Sequence, residues 1–402
     1  RFGARVPALD DLTEAHANGE EASRRDRLER STGIDPEEVL VLGSRNEAVV
    51  QDLGKPVDIL SGDELRMKLS STLGETIGRE LGVHNASFGP GVGLPVVRGM
   101  SGVRVRASEG GIGAWDASSL SPDHATTVEA VLADSIEIVR GASTLRYGSG
   151  AIGGVVNVET GRIHRRALEE PLLGSLETRY EPGNDRHQRT FAAKMDGSVG
   201  RFVLHVDGFA RASGDVSIPG VAIDEAAVAE QFFFDASQDN TNGFIANTDA
   251  QAAGGAGGFS FVTDRGYIGI AVSQLDNDYG IPPGAHTEPA DADHNHAGDG
   301  ANDGIAQSPD VRIDLRQTRY DLKSGWTFEE GRLREIEFLV GHIDYEHVEA
   351  EEGFAGTRFQ SEVNEARVAV SHRSILGFTG EIGVHAVERF FAATGAESFV
   401  PP

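Results

Sequence analysis

From about residue 171 onward the chain alternates oily and polar side chains at a period of two, and this limits what it can fold into. Phe202, Leu204 and Val206 interleave with Arg201, Val203, His205 and Asp207. Thr318, Tyr320, Leu322 and Ser324 interleave with Gln317, Arg319, Asp321 and Lys323. Ala366, Val368 and Val370 face away from Glu365 and Arg367, and Ile382, Val384 and Ala386 face away from His385. Successive side chains of a strand point to opposite faces, so the pattern describes a sheet with one apolar side. About nine strands are legible, near 173–182, 187–196, 201–212, 252–262, 267–276, 312–326, 333–347, 357–372 and 379–391. Joins near 196–200, 263–266, 327–331 and 373–378 are short, whereas 213–250 and 277–311 far exceed the usual connection of about 2–6 residues. A soluble sandwich alternates too. Long joins at one end and short joins at the other favour an antiparallel transmembrane β-barrel.

Composition agrees by exclusion. The chain has 36 Lys+Arg against 63 Asp+Glu, a net charge of −27, which argues against nucleic acid as a partner because phosphate recognition needs a basic face. It has no cysteine, removing disulfides, thiol nucleophiles and thiolate-bound metal together. No run of about 18 apolar residues exists to form a membrane helix.

Residues 1–36 are charged and aperiodic, and read as a flexible N-terminal arm in which Ser23–Arg30 form at most a short helix. Residues 37–165 read as a small α+β domain. Strands are expected at Glu37–Ser44, Pro95–Met100, Val103–Ser108, Ser135–Gly141 and Gly153–Glu159. Ser61–Glu64 and Thr72–Glu75 have the spacing of capping boxes, the second helix running to Gly82. Tyr147–Gly154 (YGSGAIGG) is a glycine-rich turn; with no Lys-Ser/Thr and no helix after it, its role is structural rather than phosphate-binding. The barrel is assigned to 166–402. Nine strands are few for a barrel around such a domain, so the remaining strands are expected beyond this chain.

The stretches LPVVRGMSGVRV (Leu94–Val105) and LSPDHATTVEAVLADSIEIVRGASTLRYGSGAIGGVVNVETGRI (Leu120–Ile163), with the strands after them, resemble a TonB-dependent outer-membrane receptor, over residues 37–402. The resemblance implies a plug domain inside a barrel usually of about 22 strands, located in the Gram-negative outer membrane. It implies outer-membrane lipid around the barrel, and an inner-membrane TonB energy-coupling complex that pulls on an N-terminal TonB box. Glu37–Leu42 is the nearest match to that box, and equally the first plug strand. The resemblance implies transport rather than catalysis, and no residue is given a catalytic role.

Within that family, SPDHA in the plug, a His-rich outer loop and the following YEH resemble the zinc-uptake receptors. The matching plug ligands are Asp123 and His124. A carboxylate and an imidazole suit Zn²⁺, which takes N and O ligands at about 2.0–2.2 Å. Read without the resemblance, Asp123 caps a turn and His124 is a surface residue. Glu346 is the candidate barrel ligand. With Tyr345 in the lipid-facing aromatic girdle, Asp344 and Glu346 point into the lumen; yet Ile336, Phe338 and Val340 share the parity of Glu346, and the two readings conflict unless a bulge intervenes. The loop Pro282–Gly304 adds His286, His294 and His296 among carboxylates, a composition that gathers divalent metal or simply solvates a loop. A receptor for haem or another metal chelate such as a siderophore is the alternative within this class. A metallohydrolase lacks any HExxH, and a secreted calcium-binding adhesin lacks repeats.

Overall fold

The computed structural model describes residues 57–182, 187–227, 240–282, 310–351 and 353–395. The expected first strand at Glu37–Ser44, the N-terminal arm and the TonB-box candidate lie outside them.

The first unit is built on five strands: β1 (Val57–Ser61), β4 (Val105–Glu109), β5 (Ile112–Gly113), β6 (Ser135–Val139) and β7 (Gly154–Glu159). They lie in the order β1-β6-β7-β4-β5, with β4 and β7 parallel. A hairpin of β2 (Val83–Ser87) and β3 (Gly93–Val97) stands beside it. Helix α1 (Gly62–Lys68) follows Ser61 as expected, although the Ser61 side chain makes no cap bond. Thr72 does cap α2 (Leu73–Ile77), its hydroxyl accepting from the Glu75 amide at 3.3 Å. That helix stops at Gly78 rather than Gly82; Gly74 and Gly78 lie so close to Asn85 of β2 that a side chain at either would crowd it. Leu60, Leu65, Leu73, Ile77, Ile136 and Ile138 form the core of this unit. In the glycine-rich turn, Gly148 and Gly150 adopt φ of +83° and +80°, a region that L side chains avoid, so the turn reading stands.

Nine antiparallel strands follow in one sheet: β8 (Leu172–Glu181), β9 (Gln188–Val199), β10 (Phe202–Ser213), β13 (Ala250–Thr263), β14 (Gly266–Gly280), β15 (Val311–Thr327), β16 (Leu333–Glu351), β17 (Phe354–Ile375) and β18 (Phe378–Gly395). All nine are where the alternation placed them, with ends extended by a few residues. The long join after β10 also holds a small hairpin, β11 (Val216–Val221) with β12 (Asn242–Ile245), which the alternation does not reveal because a Pro-Gly pair interrupts it.

Register fixes the two faces. Ile270, Leu322, Val340 and Ala366 are successive cross-strand partners, and so are Val272, Tyr320, His342 and Asn364. Exposed Phe202, Leu204, Ile268, Ile270, Phe338, Val368, Ile382 and Val384 therefore form one outward apolar band, as lipid contact requires. No helix among the described residues is long and apolar enough to cross a membrane.

The inward face closes on the first unit. Val92, Leu94, Ala125 and Leu132 pack with Phe209, Leu275, Tyr279, Ile313 and Tyr345. Ile112, at the tip of β4–β5, packs with Leu339, Ile343 and Val363. Glu365 of β17 holds the same tip: it accepts from Arg106 Nη2 at 2.6 Å, the Gly113 amide at 3.0 Å and Trp115 Nε1 at 2.5 Å. His385 Nε2 of β18 lies 2.8 Å from Glu365 Oε1, the oxygen that also accepts from Arg106.

Candidate metal centre at the plug apex

The loop carrying Asp123 and His124 leaves the sheet after β5, and one carboxylate shapes it. Asp116 accepts from the Ser118 amide at 3.1 Å, the Thr127 amide at 2.7 Å and the Thr127 hydroxyl at 3.0 Å. The Ala125 amide donates to the Tyr279 hydroxyl of β14 at 2.8 Å, tying the loop to the wall. His124 is thereby buried, with 4% of its surface exposed, and is not a surface residue.

Two side chains of β16 meet it. His124 Nε2 donates to Glu349 Oε1 at 2.8 Å, and His347 Nε2 lies 3.6 Å from the same oxygen. One ligand atom from each of His124, His347 and Glu349 falls within 4.8 Å of the others. Tetrahedral Zn²⁺ with bonds near 2.1 Å spaces its ligands by about 3.4 Å, so these separations suit one small ion.

Both rings are aimed from behind. His124 Nδ1 donates to the Ala117 carbonyl at 3.3 Å, and His347 Nδ1 meets the Tyr345 hydroxyl at 2.6 Å. Such outer partners fix which nitrogen faces a metal. Phe359 of β17 stacks on His347 at 4.5 Å and meets His124 edge-on at 5.4 Å, walling one side. His347 Nε2 is buried, and Glu349 Oε1 at 3.6 Å lies just beyond hydrogen-bond reach of it.

Burial alone lowers the basicity of His124. The hydrogen bond to Glu349 and the charges of Asp123 and Glu349 outweigh that and raise its pKa above the usual 6.5.

The candidate residues separate as follows. His124 is in the constellation. Asp123 is buried beside it, yet its carboxylate accepts from the Ser121 hydroxyl and stands outside the set of three. Glu346 is a correction. It points outward, binding Gln360 Nε2 at 2.9 Å and lying 3.7 Å from Arg358. The β16 register runs without a break from Glu335 to Glu349, so the parity of Ile336, Phe338 and Val340 carries through to Glu346. Tyr345, expected in the lipid-facing girdle, is instead 3% exposed and faces the lumen. Hence His347 and Glu349, which share its parity, are the inward residues. His286, His294 and His296 lie outside the described residues.

Comparison with known proteins agrees with this architecture. Residues 49–155 match the family described as "TonB-dependent Receptor Plug Domain". Among solved structures the chain is similar to the copper transporter OprC, at a TM-score of 0.60 and 14% identity over 84% of this chain and 47% of that one. It is also similar to the siderophore receptor PirA from Acinetobacter baumannii, at a TM-score of 0.59 and 17% identity over 86% of this chain and 49% of that one. The alcaligin outer-membrane receptor FauA from Bordetella pertussis matches at 0.52 and 13% identity, over 91% and 50%. The chain thus spans about half the length of the structures it matches. Residues 49–155 therefore carry a TonB-dependent receptor plug domain, seated against the inward face of a sheet with an apolar outer band, the fold of the receptors and transporter named above.

Proposed function

We propose that this receptor takes up zinc across the Gram-negative outer membrane, holding it between plug and barrel before an inner-membrane energy-coupling complex opens the path. The observation that carries this reading is the meeting of His124 with His347 and Glu349. Two imidazoles and a carboxylate form a hard-to-borderline donor set that suits Zn²⁺, and no soft sulfur donor of the kind favoured by Cu(I) belongs to it. Asp123, next to His124 in the chain, would supply the fourth ligand on turning from Ser121. The relatives whose names specify copper or siderophores support a metal cargo in general.

Zinc titration by calorimetry on the full-length receptor in detergent tests this. A zinc-binding step that is weakened at least 100-fold in Asp123→Ala/His124→Ala and in Glu349→Ala is the expected result. Zinc affinity unchanged by these substitutions would remove the metal from the apex. No zinc binding at all would make haem or another metal chelate the cargo to titrate next.

A further inference from the structure

A second constellation lies at the opposite end of the sheet, where the plug hands over to the barrel. β9 and β10 are joined there by a tight turn, and Asp196 and His205 are directly opposed partners on the inward face of that hairpin. Gly258 opposes His205 on the other side; a side chain there would collide with the Arg162 carbonyl and crowd His205. The bare backbone of Gly258 therefore lets the segment after β7 lie directly on the wall. The Ser260 hydroxyl then accepts from the His164 amide at 2.8 Å and sets the ring beside the hairpin.

Three donors converge. His164 Nε2 lies 2.7 Å from Asp196 Oδ1, and His205 Nδ1 lies 2.6 Å from the same oxygen. The three ligand atoms fall within 4.8 Å of one another. Behind His205, Asp207 Oδ2 takes the second ring nitrogen at 2.8 Å, and Asp207 is itself held by Arg162 Nε at 2.7 Å. A carboxylate behind an imidazole, anchored in turn, is how metal-binding histidines are oriented.

Charge counting points the same way. Arg162 also binds Glu109, so its guanidinium is taken up by Asp207 and Glu109, while Asp196 meets only the two imidazoles. A divalent cation between the two rings would take the place of the protons that now bridge them to Asp196. His205 is fully buried while His164 keeps 19% of its side chain exposed, so the group is accessible from one side only.

We propose that His164, Asp196 and His205 form a second divalent transition-metal site at the inner rim, with Asp207 as its positioning residue. It is separate from the apex: His205, Gly258, Ala271, Asp321 and Gly341 are successive cross-strand partners, and Gly341 precedes His347 by six residues of β16. The binding claim stands on this geometry alone; a role as the station a metal reaches on leaving the apex rests on the zinc reading above.

The test is zinc titration of the full-length receptor in detergent, with Co²⁺ absorption as a second probe. Four forms are compared: unaltered, His124→Ala/Glu349→Ala, His164→Ala/His205→Ala, and all four changes together. The apex variant is expected to keep one zinc, and that zinc is lost when the inner pair is also changed. Asp207→Asn should weaken the inner site by about 10- to 100-fold while leaving apex binding unchanged. His205→Asn, whose amide still donates to a neighbouring carboxylate, guards against a folding failure; introduced into the His124→Ala/Glu349→Ala form, it should abolish the remaining Co²⁺ spectrum. An apex variant that binds no zinc, or one whose remaining zinc survives His164→Ala/His205→Ala, overturns the inner site. Zinc unmoved by the apex changes but removed by the inner pair overturns only the apex reading.

Discussion

His124 of the plug and Glu349 of β16 share a 2.8 Å hydrogen bond across 225 positions of sequence. That bond places one imidazole of a plug loop in the same small volume as two barrel side chains, and it has a pH consequence.

The His124 pKa is raised above its usual value, so the metal-free site holds its proton to higher pH than an ordinary histidine. Zinc must displace that proton. Affinity should therefore fall as pH drops through the raised value, by up to about tenfold per unit for one proton displaced. The metal-free contact behaves oppositely: its stabilisation is complete below about 6.5 and fades as pH rises through the folded-state value. Calorimetry between pH 6 and 8, in buffers of different ionisation enthalpy, should show weaker zinc binding at the acid end with proton release. A flat profile would be inconsistent with His124 as a ligand.

Glu346 and Glu349 offer a within-strand control. Glu349→Ala should reduce zinc affinity at least 100-fold, whereas Glu346→Ala, on the outward face with Gln360 and Arg358, should change it less than about twofold. Equal effects of the two would place the strand in the other register.

Glu365 gathers Arg106, Trp115 and the Gly113 amide of the plug onto β17. Removing one partner of a buried ion pair strands the other, at a cost of about 3–5 kcal/mol. Glu365→Ala should therefore lower the melting temperature and speed amide exchange at residues 105–115. Exchange unchanged there would show that Ile112 packing and the Arg319 bonds to the Glu109, Ile112 and Gly113 carbonyls hold the tip without Glu365.

The outward apolar band gives a membrane test. Phe338→Lys should destabilise the folded receptor in lipid by about 2–4 kcal/mol, the cost of a cation near the bilayer midplane. Glu346→Lys, eight residues beyond Phe338 and ten beyond Ile336 in the same strand and already among charged neighbours, should cost less than about 1 kcal/mol. Equal unfolding midpoints in vesicles would refute the placement of that band.

Much of this was legible because strand periodicity is unforgiving: one residue of slip exchanges lipid for lumen. Phe202-Leu204-Val206 and Ile336-Phe338-Val340 each declared their outward face from sequence, and all nine strands of the wall follow. Trouble arose at Tyr345, where a girdle role suggested the opposite face. Its hydroxyl serves His347 instead. Counting in twos from Phe338 would have placed Glu346 outside and turned attention to His347 and Glu349. The inner rim was illegible for another reason: His164 reaches the β9–β10 hairpin only because Gly258 leaves space for the Arg162 carbonyl, a fact of backbone approach rather than of any local pattern.

The apex set draws its donors from two bodies, one imidazole from the plug and a second imidazole with a carboxylate from the wall. Coordination bonds tolerate only tenths of an ångström of stretch. A plug displaced by a few ångströms would thus strip His124 from the other two donors, and a three-donor grip would become a two-donor one. On the proposed uptake of zinc, affinity and travel of the plug would lie on one coordinate, so that a pull on the plug would also loosen the hold.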